Sequence, residues 1–330
     1  MTNSPSLLLQ PEVAELARHV AAGLGRVPKT LSSMYFYDDA GSRLFQQIME
    51  LPEYYPTRTE SAIFREHGTA IAAALRPAGA GSGDFALVEL GAGDGAKTKL
   101  LLRELLAAGT AFTYAPVDIS AGAMAGLVQA LARELPALPV APVVADYAAA
   151  LAQLRTRPGS KAVLFLGSNI GNFNPSDRLD FLRTLAAPLA PADRLLIGFD
   201  LRKDPRRIRA AYDDAQGVTA AFNLNLLTRL NRELGADFDL AHWQHYTDYN
   251  PLTGAVRSFL VSARAQRVRF AALDENVDFT AWEVIHTENS YKFTLPQIEG
   301  LASEAGLQVV AVFTDAASDF ADVVLAPQQD

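Results

Sequence analysis

The sequence predicts an α/β fold: a mostly parallel sheet flanked by helices and interrupted late in the chain by an α+β lobe. Three observations carry this. Short apolar runs alternate with helical patterns from Phe85 to Phe199, the signature of a parallel sheet with right-handed crossovers. The first run, Phe85–Leu90, ends in the glycine-rich turn "GAGDGAK". After Pro205 the pattern gives way to a long helical stretch and then to polar–apolar alternation around "NPLTG", which marks an antiparallel hairpin.

Taken in order, residues 11–25 read as a helix, with Val13, Leu16, Val20 and Leu24 at helical spacing and Pro28 ending it. Residues 33–60 are dense in tyrosine and carry two prolines; Asp39 reads as the N-cap of a helix over "GSRLFQQI". Residues 61–76 read as another helix, and "RPAGAGSGD", 76–84, as a flexible break. The strand candidates are Phe85–Leu90, Phe112–Val117, Val140–Ala145, Ala162–Leu166 and Arg194–Phe199. Residues 206–234 read as one helical stretch with a break near Gly217, and residues 294–326 as helix, strand, turn and strand returning to the sheet. The domain reading is a helical cover at 1–60, a core at 61–205 plus 293–330, and an inserted lobe at 206–292.

The chain has 330 residues, enough for one large domain or two. Charged residues are 20% and hydrophobic ones 49%, a globular balance. A net charge of −8 argues against a nucleic-acid partner. There is no cysteine, which excludes disulfides, thiolate metal sites and a cysteine nucleophile. The first residues lack a basic leader, and no run approaches the ~20 apolar residues of a membrane span. A cytoplasmic monomer acting on a small molecule, with no membrane partner, is the default expectation.

Three ligands compete for the glycine loop. A phosphate-binding P-loop requires Gly-x-x-x-x-Gly-Lys-Ser/Thr, which "GAGDGAKT" does not match. A dinucleotide fingerprint requires Gly-x-Gly-x-x-Gly and an acid about 20 residues on. Here the third glycine comes one position early, and Asp118 lies 27 residues after Gly91. The third reading is the acid-x-Gly-x-Gly-x-Gly loop used for S-adenosylmethionine, which Glu89, Gly91, Gly93 and Gly95 fit in full. That ligand carries no phosphate. Asp118 after the second strand is placed for ribose hydroxyls, and Asp146 after the third for the adenine amine. The bland alternative is a tightly packed strand-to-helix turn.

The stretches "FYDDAGSRLFQQIMELPEYYPTRTE", "ELGAGDGAKT", "FLGSNIGNF", "AYDDAQGVTAAFNLNLL" and "TENSYKF" give the chain more than a generic match. From about Tyr35 onward it resembles the histidine Nα-methyltransferases of ergothioneine biosynthesis, which convert L-histidine to hercynine. The resemblance implies a Rossmann-like class I methyltransferase sheet, S-adenosylmethionine as cofactor, and a substrate-binding lobe, with the active site between lobe and core. It implies that Tyr37, Gly91, Lys97, Asp118, Asp146 and Tyr147 hold the cofactor. Gly167, Asn172 and Tyr212 would take the substrate's α-amino and α-carboxylate groups, and Tyr54, Glu288 and Ser290 its imidazole. Ser258 stands where the bacterial family has a methionine against the substrate, and Asn169 where threonine or another small residue is more frequent. The first change enlarges or wets the pocket and opens the acceptor to another amino acid or a modified histidine.

Methyl transfer is an in-line displacement that needs a neutral amine, alignment and exclusion of water, but no metal. Tyr37, the Gly167 carbonyl and the Asn172 amide can orient the amine, and none is a strong base; the reading is positioning, with proton loss to water or through a tyrosine. Glu288 and Ser290 share one face if their segment is extended. Of Tyr54 and Tyr55, one reads as core. Tyr212 lies in a helical reading; Asp213 and Asp214 point apart. His242 and His245 lack the i, i+4 spacing of a helical metal pair, so no metal is expected. His286, two residues before Glu288, reads as a surface residue with a near-site role as the alternative, and "RKDPRRIR", 202–209, as a solvated helix start.

Overall fold

The computed structural model describes residues 11–77, 85–157 and 159–329. Most of the expected break at 76–84 lies outside them. The chain runs through α1 (Pro11–Leu24), β1 (Lys29–Thr30), α2 (Asp39–Glu50), α3 (Tyr55–Leu75), β2 (Phe85–Leu90), α4 (Thr98–Ala107), β3 (Phe112–Asp118) and α5 (Ala121–Glu134). It continues through β4 (Val143–Val144), α6 (Tyr147–Thr156), β5 (Lys161–Phe165), α7 (Pro175–Ala186), β6 (Arg194–Asp200), α8 (Pro205–Ala210) and α9 (Val218–Leu234). It ends with β7 (Trp243–Asn250), β8 (Ala255–Ser262), β9 (Gln266–Phe270), β10 (Glu275–Phe279), β11 (Val284–Tyr291), α10 (Leu295–Glu304), β12 (Leu307–Thr314) and β13 (Phe320–Pro327). These elements form two compact units, Met1–Tyr54 with Asp204–Asn289 and Tyr55–Lys203 with Ser290–Asp330.

The second unit holds a seven-stranded sheet in the order β12-β13-β6-β5-β2-β3-β4. Strands β2 to β6 are parallel; β13 runs antiparallel to β6 and β12. Every residue of β2 and β5 is buried, as expected of strands covered on both faces. Alternation sends Val88, Val163 and Ile197 into one core and Leu87, Leu164 and Leu196 into the other. Helix α3 starts six residues before the expected helix at residue 61, because Tyr55, 2% exposed, belongs to the core and Pro56 suits a first helical turn. The expected strand at Val140–Ala145 contracts to β4 with a single bridge from Val140 to Tyr114. Pro139 and Pro142 have no N–H to give a ladder.

The first unit packs α1, α2 and α9 around a core that includes Leu16, Val20, Phe36, Leu226, Leu230 and Phe270. Its sheet has the order β1-β11-β8-β7. Strands β7 and β8 form the expected hairpin, in register from Trp243 opposite Ser262 to Asn250 opposite Ala255. A second hairpin, β9–β10, was not identified from the sequence, although β9 alternates. Two local readings are corrected. Asp38, not Asp39, caps α2, its Oδ1 accepting the Gly41 N–H at 2.8 Å. Tyr212 is not helical: the stretch 206–234 breaks, as expected, at Gly217, which precedes α9, and Tyr212 lies in the turn between α8 and α9. That turn is fixed by Asp214, which accepts N–H bonds from Val218 at 3.0 Å and Thr219 at 2.7 Å. Asp213 turns outward to Arg209.

Candidate active site

In the second unit the glycine loop joins β2 to α4. Gly91, Gly93 and Gly95 all have left-handed backbone, with φ of 74°, 55° and 63°. A Cβ at Gly91 would sit 3.0 Å from the Tyr147 hydroxyl and 3.6 Å from Asn169 Nδ2. The missing side chain therefore lets Tyr147 and the acceptor loop close on the backbone. Asp118, at the end of β3, is tied to the same loop: its Oδ2 accepts the Gly93 N–H at 2.9 Å and its Oδ1 the Ser120 N–H at 2.8 Å. Burial raises the Tyr147 phenol above its ordinary range, and the Asp118 carboxylate adds to this. Asp146 is exposed and caps α6, accepting from Ala149 N–H at 2.8 Å. Glu89, the motif acid, lies beneath the loop, 3% exposed, bonded by the Thr98 hydroxyl at 2.6 Å and by the Tyr114 hydroxyl. Burial pushes it up to about 7, against the lowering effect of those two bonds.

Sequence reasoning missed Glu60. This carboxylate is fully buried, pairs with Lys97, and accepts the Gly167 N–H at 2.8 Å. One side chain thus anchors both the lysine of the glycine loop and the turn after β5. Burial lowers the Lys97 ammonium, but the charge and hydrogen bond of Glu60 together with the charges of Asp322 and Glu89 outweigh it, and the net direction is up. Gly198 of β6 leaves the space that the carboxylate fills: a Cβ there would lie 2.4 Å from Glu60 Oε1. Opposite Gly198 sits Asp322, fully buried, its carboxyl held well above the usual range by desolvation and by Glu60.

After β5, Gly167 and Ser168 take positive φ, 74° and 57°, and lead into a 3-10 turn over Asn169–Asn172 that exposes Asn172. The Ser168 hydroxyl accepts the Asp200 N–H at 2.9 Å. Asp200 in turn gathers Tyr55, whose hydroxyl donates at 2.9 Å, Lys203 at 2.5 Å and Lys292 at 2.8 Å. Lys203 therefore departs from the solvated reading of its basic cluster; its side chain is 8% exposed. Lys292 also donates to Ser290 Oγ at 2.8 Å.

In the first unit three of the expected site tyrosines share one aromatic chain. Tyr37 meets Phe45 edge-on at 5.5 Å, Phe45 meets Tyr54 at 6.1 Å, and Tyr54 meets Tyr212 at 6.3 Å. Phe222 completes it, 5.6 Å from Tyr37. Neither phenylalanine was singled out from the sequence, since apolar rings at helical spacing read as core. The Tyr212 carbonyl is bonded by His245 Nε2 at 3.0 Å and the Thr247 hydroxyl at 3.1 Å. His242 lies near Asp239 instead. Among the described residues no group of three metal-ligating side chains gathers. Ser258 is 1% exposed on the inward face of β8. Glu288 is half-buried on β11, whose extended backbone runs through Ser290. His286 is half-buried, with Nε2 at 3.0 Å from the Glu288 carbonyl, which departs from the surface reading and agrees with the alternative that placed it beside Glu288.

The donor set of the glycine loop suits S-adenosylmethionine and opposes a pyrophosphate. Asp118 puts a carboxylate at the loop, favourable to ribose hydroxyls and to a sulfonium charge. Lys97, the cation nearest in sequence, is engaged by Glu60.

The comparisons with known proteins agree. The family model described as "Histidine-specific methyltransferase, SAM-dependent" matches residues 16–327. The histidine N-alpha-methyltransferase of Mycolicibacterium smegmatis is 45% identical over 92% of this chain and 92% of its own. That of Mycobacterium tuberculosis is 41% identical over the same shares. The ergothioneine biosynthesis protein 1 of Neurospora crassa is 32% identical over 87% of this chain and 32% of its own. No helix among the described residues is long and apolar enough to cross a membrane. This chain belongs to the histidine-specific, S-adenosylmethionine-dependent methyltransferase family.

Proposed function

We propose that this enzyme methylates the α-amino nitrogen of L-histidine three times in succession, giving hercynine for ergothioneine synthesis. The observation that carries the reading is the 45% identity to a histidine N-alpha-methyltransferase along 92% of both chains. The tie between Asp118 and the Gly93 amide at 2.9 Å supports it, because it suits a phosphate-free cofactor. When bound, S-adenosylmethionine supplies an electrophilic methyl group on a sulfonium centre. Gly91, Lys97, Asp118, Asp146 and Tyr147, with Tyr37, hold it. Gly167, Asn172 and Tyr212 hold the amino acid's α-groups; Tyr54, Glu288 and Ser290 face its imidazole. The α-ammonium sheds its proton to water or through a tyrosine, and Tyr37, the Gly167 carbonyl and Asn172 keep the nitrogen aligned. We read the enzyme as a cytoplasmic monomer without nucleic-acid or membrane partners; its net charge of −8 supports the absence of a nucleic-acid partner.

Titration calorimetry with S-adenosylhomocysteine and histidine, followed by mass spectrometry of the product, tests this. Heat on histidine addition and a product heavier by three methyl groups are expected. No heat with any amino acid, with or without S-adenosylhomocysteine, overturns the reading. A second reading rests on Ser258, which is buried and stands where the resemblance implies a methionine: the acceptor is another amino acid or a modified histidine. Competition across amino acids separates the two, and a preference for tryptophan or tyrosine favours the second.

A further inference from the structure

The turn that carries Asn172 is braced by an arginine that meets no acid. Arg178, on α7 of the second unit, is 8% exposed. Its guanidinium donates to both ends of the turn, from Nε to the Ile170 carbonyl at 3.3 Å and from Nη2 to the Phe173 carbonyl at 2.9 Å. The rings of Tyr291 and Phe293 lie against it, their centroids 4.5 and 4.7 Å from its Cζ. Gly171 permits the close fit, since a Cβ there would lie 2.8 Å from the Tyr291 carbonyl. A buried charge ordinarily has a counter-ion. Here every partner is neutral, and no carboxylate among the described residues pairs with the guanidinium. Burial pulls it down to about 10, so it is still charged at neutral pH. A neutral side chain could brace the turn. The arginine adds a fixed positive charge that nothing in its surroundings cancels.

We propose that Arg178 is a positioning residue for the acceptor's α-carboxylate: it fixes the turn that presents Asn172, and its uncancelled charge selects an anionic group there. The inference rests on the reading that Asn172 takes the acceptor's α-groups. It deepens that reading by assigning the carboxylate to the Asn172 turn and by naming the charge that favours it. Opposite charges attract through a low-dielectric interior without touching. Two jobs are therefore combined in one side chain. The fork to two carbonyls sets where Asn172 stands, which governs alignment. The charge sets what binds beside it, which governs affinity. Amines that lack a carboxylate, such as decarboxylated amino acids, gain nothing from the second job and are disfavoured as acceptors.

R178K and R178Q separate the two jobs. Lysine keeps the charge and loses the fork; glutamine loses both. Histidine affinity is measured by calorimetry in the presence of S-adenosylhomocysteine, and kcat with S-adenosylmethionine. R178Q weakens histidine binding about tenfold, the scale of one unit charge acting over several ångströms at an effective dielectric of about 20. R178K weakens it less than about threefold, because the charge remains. Both variants lower kcat by a similar factor, about tenfold, because both lose the fork. S-adenosylhomocysteine affinity changes less than about twofold in either. Equal losses of histidine affinity in R178K and R178Q reduce Arg178 to a brace and overturn the proposal, as does unchanged affinity in R178Q. If R178Q does not fold, R178M replaces it with the same expected result, and a tenfold loss of affinity in R178K overturns the proposal by itself. Wild-type protein that gives no methylated histidine fails the functional reading, whereas methylation with equal losses in the two variants fails this proposal only.

Discussion

Replacing Gly198 with alanine tests the anchor built on Glu60. A Cβ at this position lies 2.4 Å from Glu60 Oε1, and 3.0 and 3.1 Å from the Phe320 ring, where ordinary contact begins at 3.4 Å. The carboxylate must retreat by about 1 Å to restore contact distance. The 2.8 Å bond from the Gly167 N–H then stretches beyond hydrogen-bonding range. Overpacking costs about 1–3 kcal/mol, and a lost bond to a charged acceptor about 1.5–3 kcal/mol. Allowing for overlap between the two, G198A destabilises by about 4 kcal/mol. In an E60A background the carboxylate is gone and the Phe320 contact alone remains, so G198A costs about 1 kcal/mol. In E60A the Asp322 carboxyl loses the upward push of the Glu60 charge, while its burial and its attraction to Lys97 remain. Urea unfolding of the four proteins gives both costs. A penalty under 1 kcal/mol in the Glu60 background, or an equal penalty in both, refutes the reasoning.

Two further outcomes follow from buried polar groups. The Glu89 carboxyl is raised to about 7 by burial, from 4.5, so the folded state holds its proton where the unfolded state has lost it. Stability falls as pH rises from 4.5 to 7 and is flat above, with a total loss on the order of 3 kcal/mol; E89Q lacks this slope, and parallel stability curves for the two proteins count against the assignment. S258M raises the kcat/KM ratio for histidine over other amino acids about tenfold if Ser258 borders the acceptor. If the residue is only core packing, 1% exposed, the same change destabilises by about 1–3 kcal/mol and leaves the ratio alone.

The sheet of the second unit was readable because its strands are buried on both faces and so appear as unbroken apolar runs; Phe85–Leu90 appears with both ends in place. Alternation on either side of the "NPLTG" turn also located the β7–β8 hairpin. Readings failed where a local rule was overridden. Val140–Ala145 has strand residues but two prolines in or beside it, and the cap of α2 was assigned one residue late because two aspartates are adjacent. The glycine loop and Asp118 were legible, since strand ends and spacing are written locally. Glu60 and the Asp200–Lys203–Lys292 group were not. Glu60 meets Lys97 across 37 positions and Tyr55 meets Asp200 across 145, and no sequence period announces such a pair. Without those partners a buried acid inside a helix looks like any exposed one.

The pairing of β1 with β11 has a further consequence for synthesis. Lys29 stands opposite Ile285, and the Lys29–Glu283 ion pair joins positions 254 apart. At roughly 5–20 residues per second, a ribosome that has just made β1 needs on the order of 10–50 s to produce its partner. During that interval α1 and α2 carry apolar faces whose neighbours in α9 do not yet exist. The nascent chain is thus most exposed to misassociation early. Strains that translate faster, or that supply holding chaperones, are expected to yield more active protein without any change in its final stability.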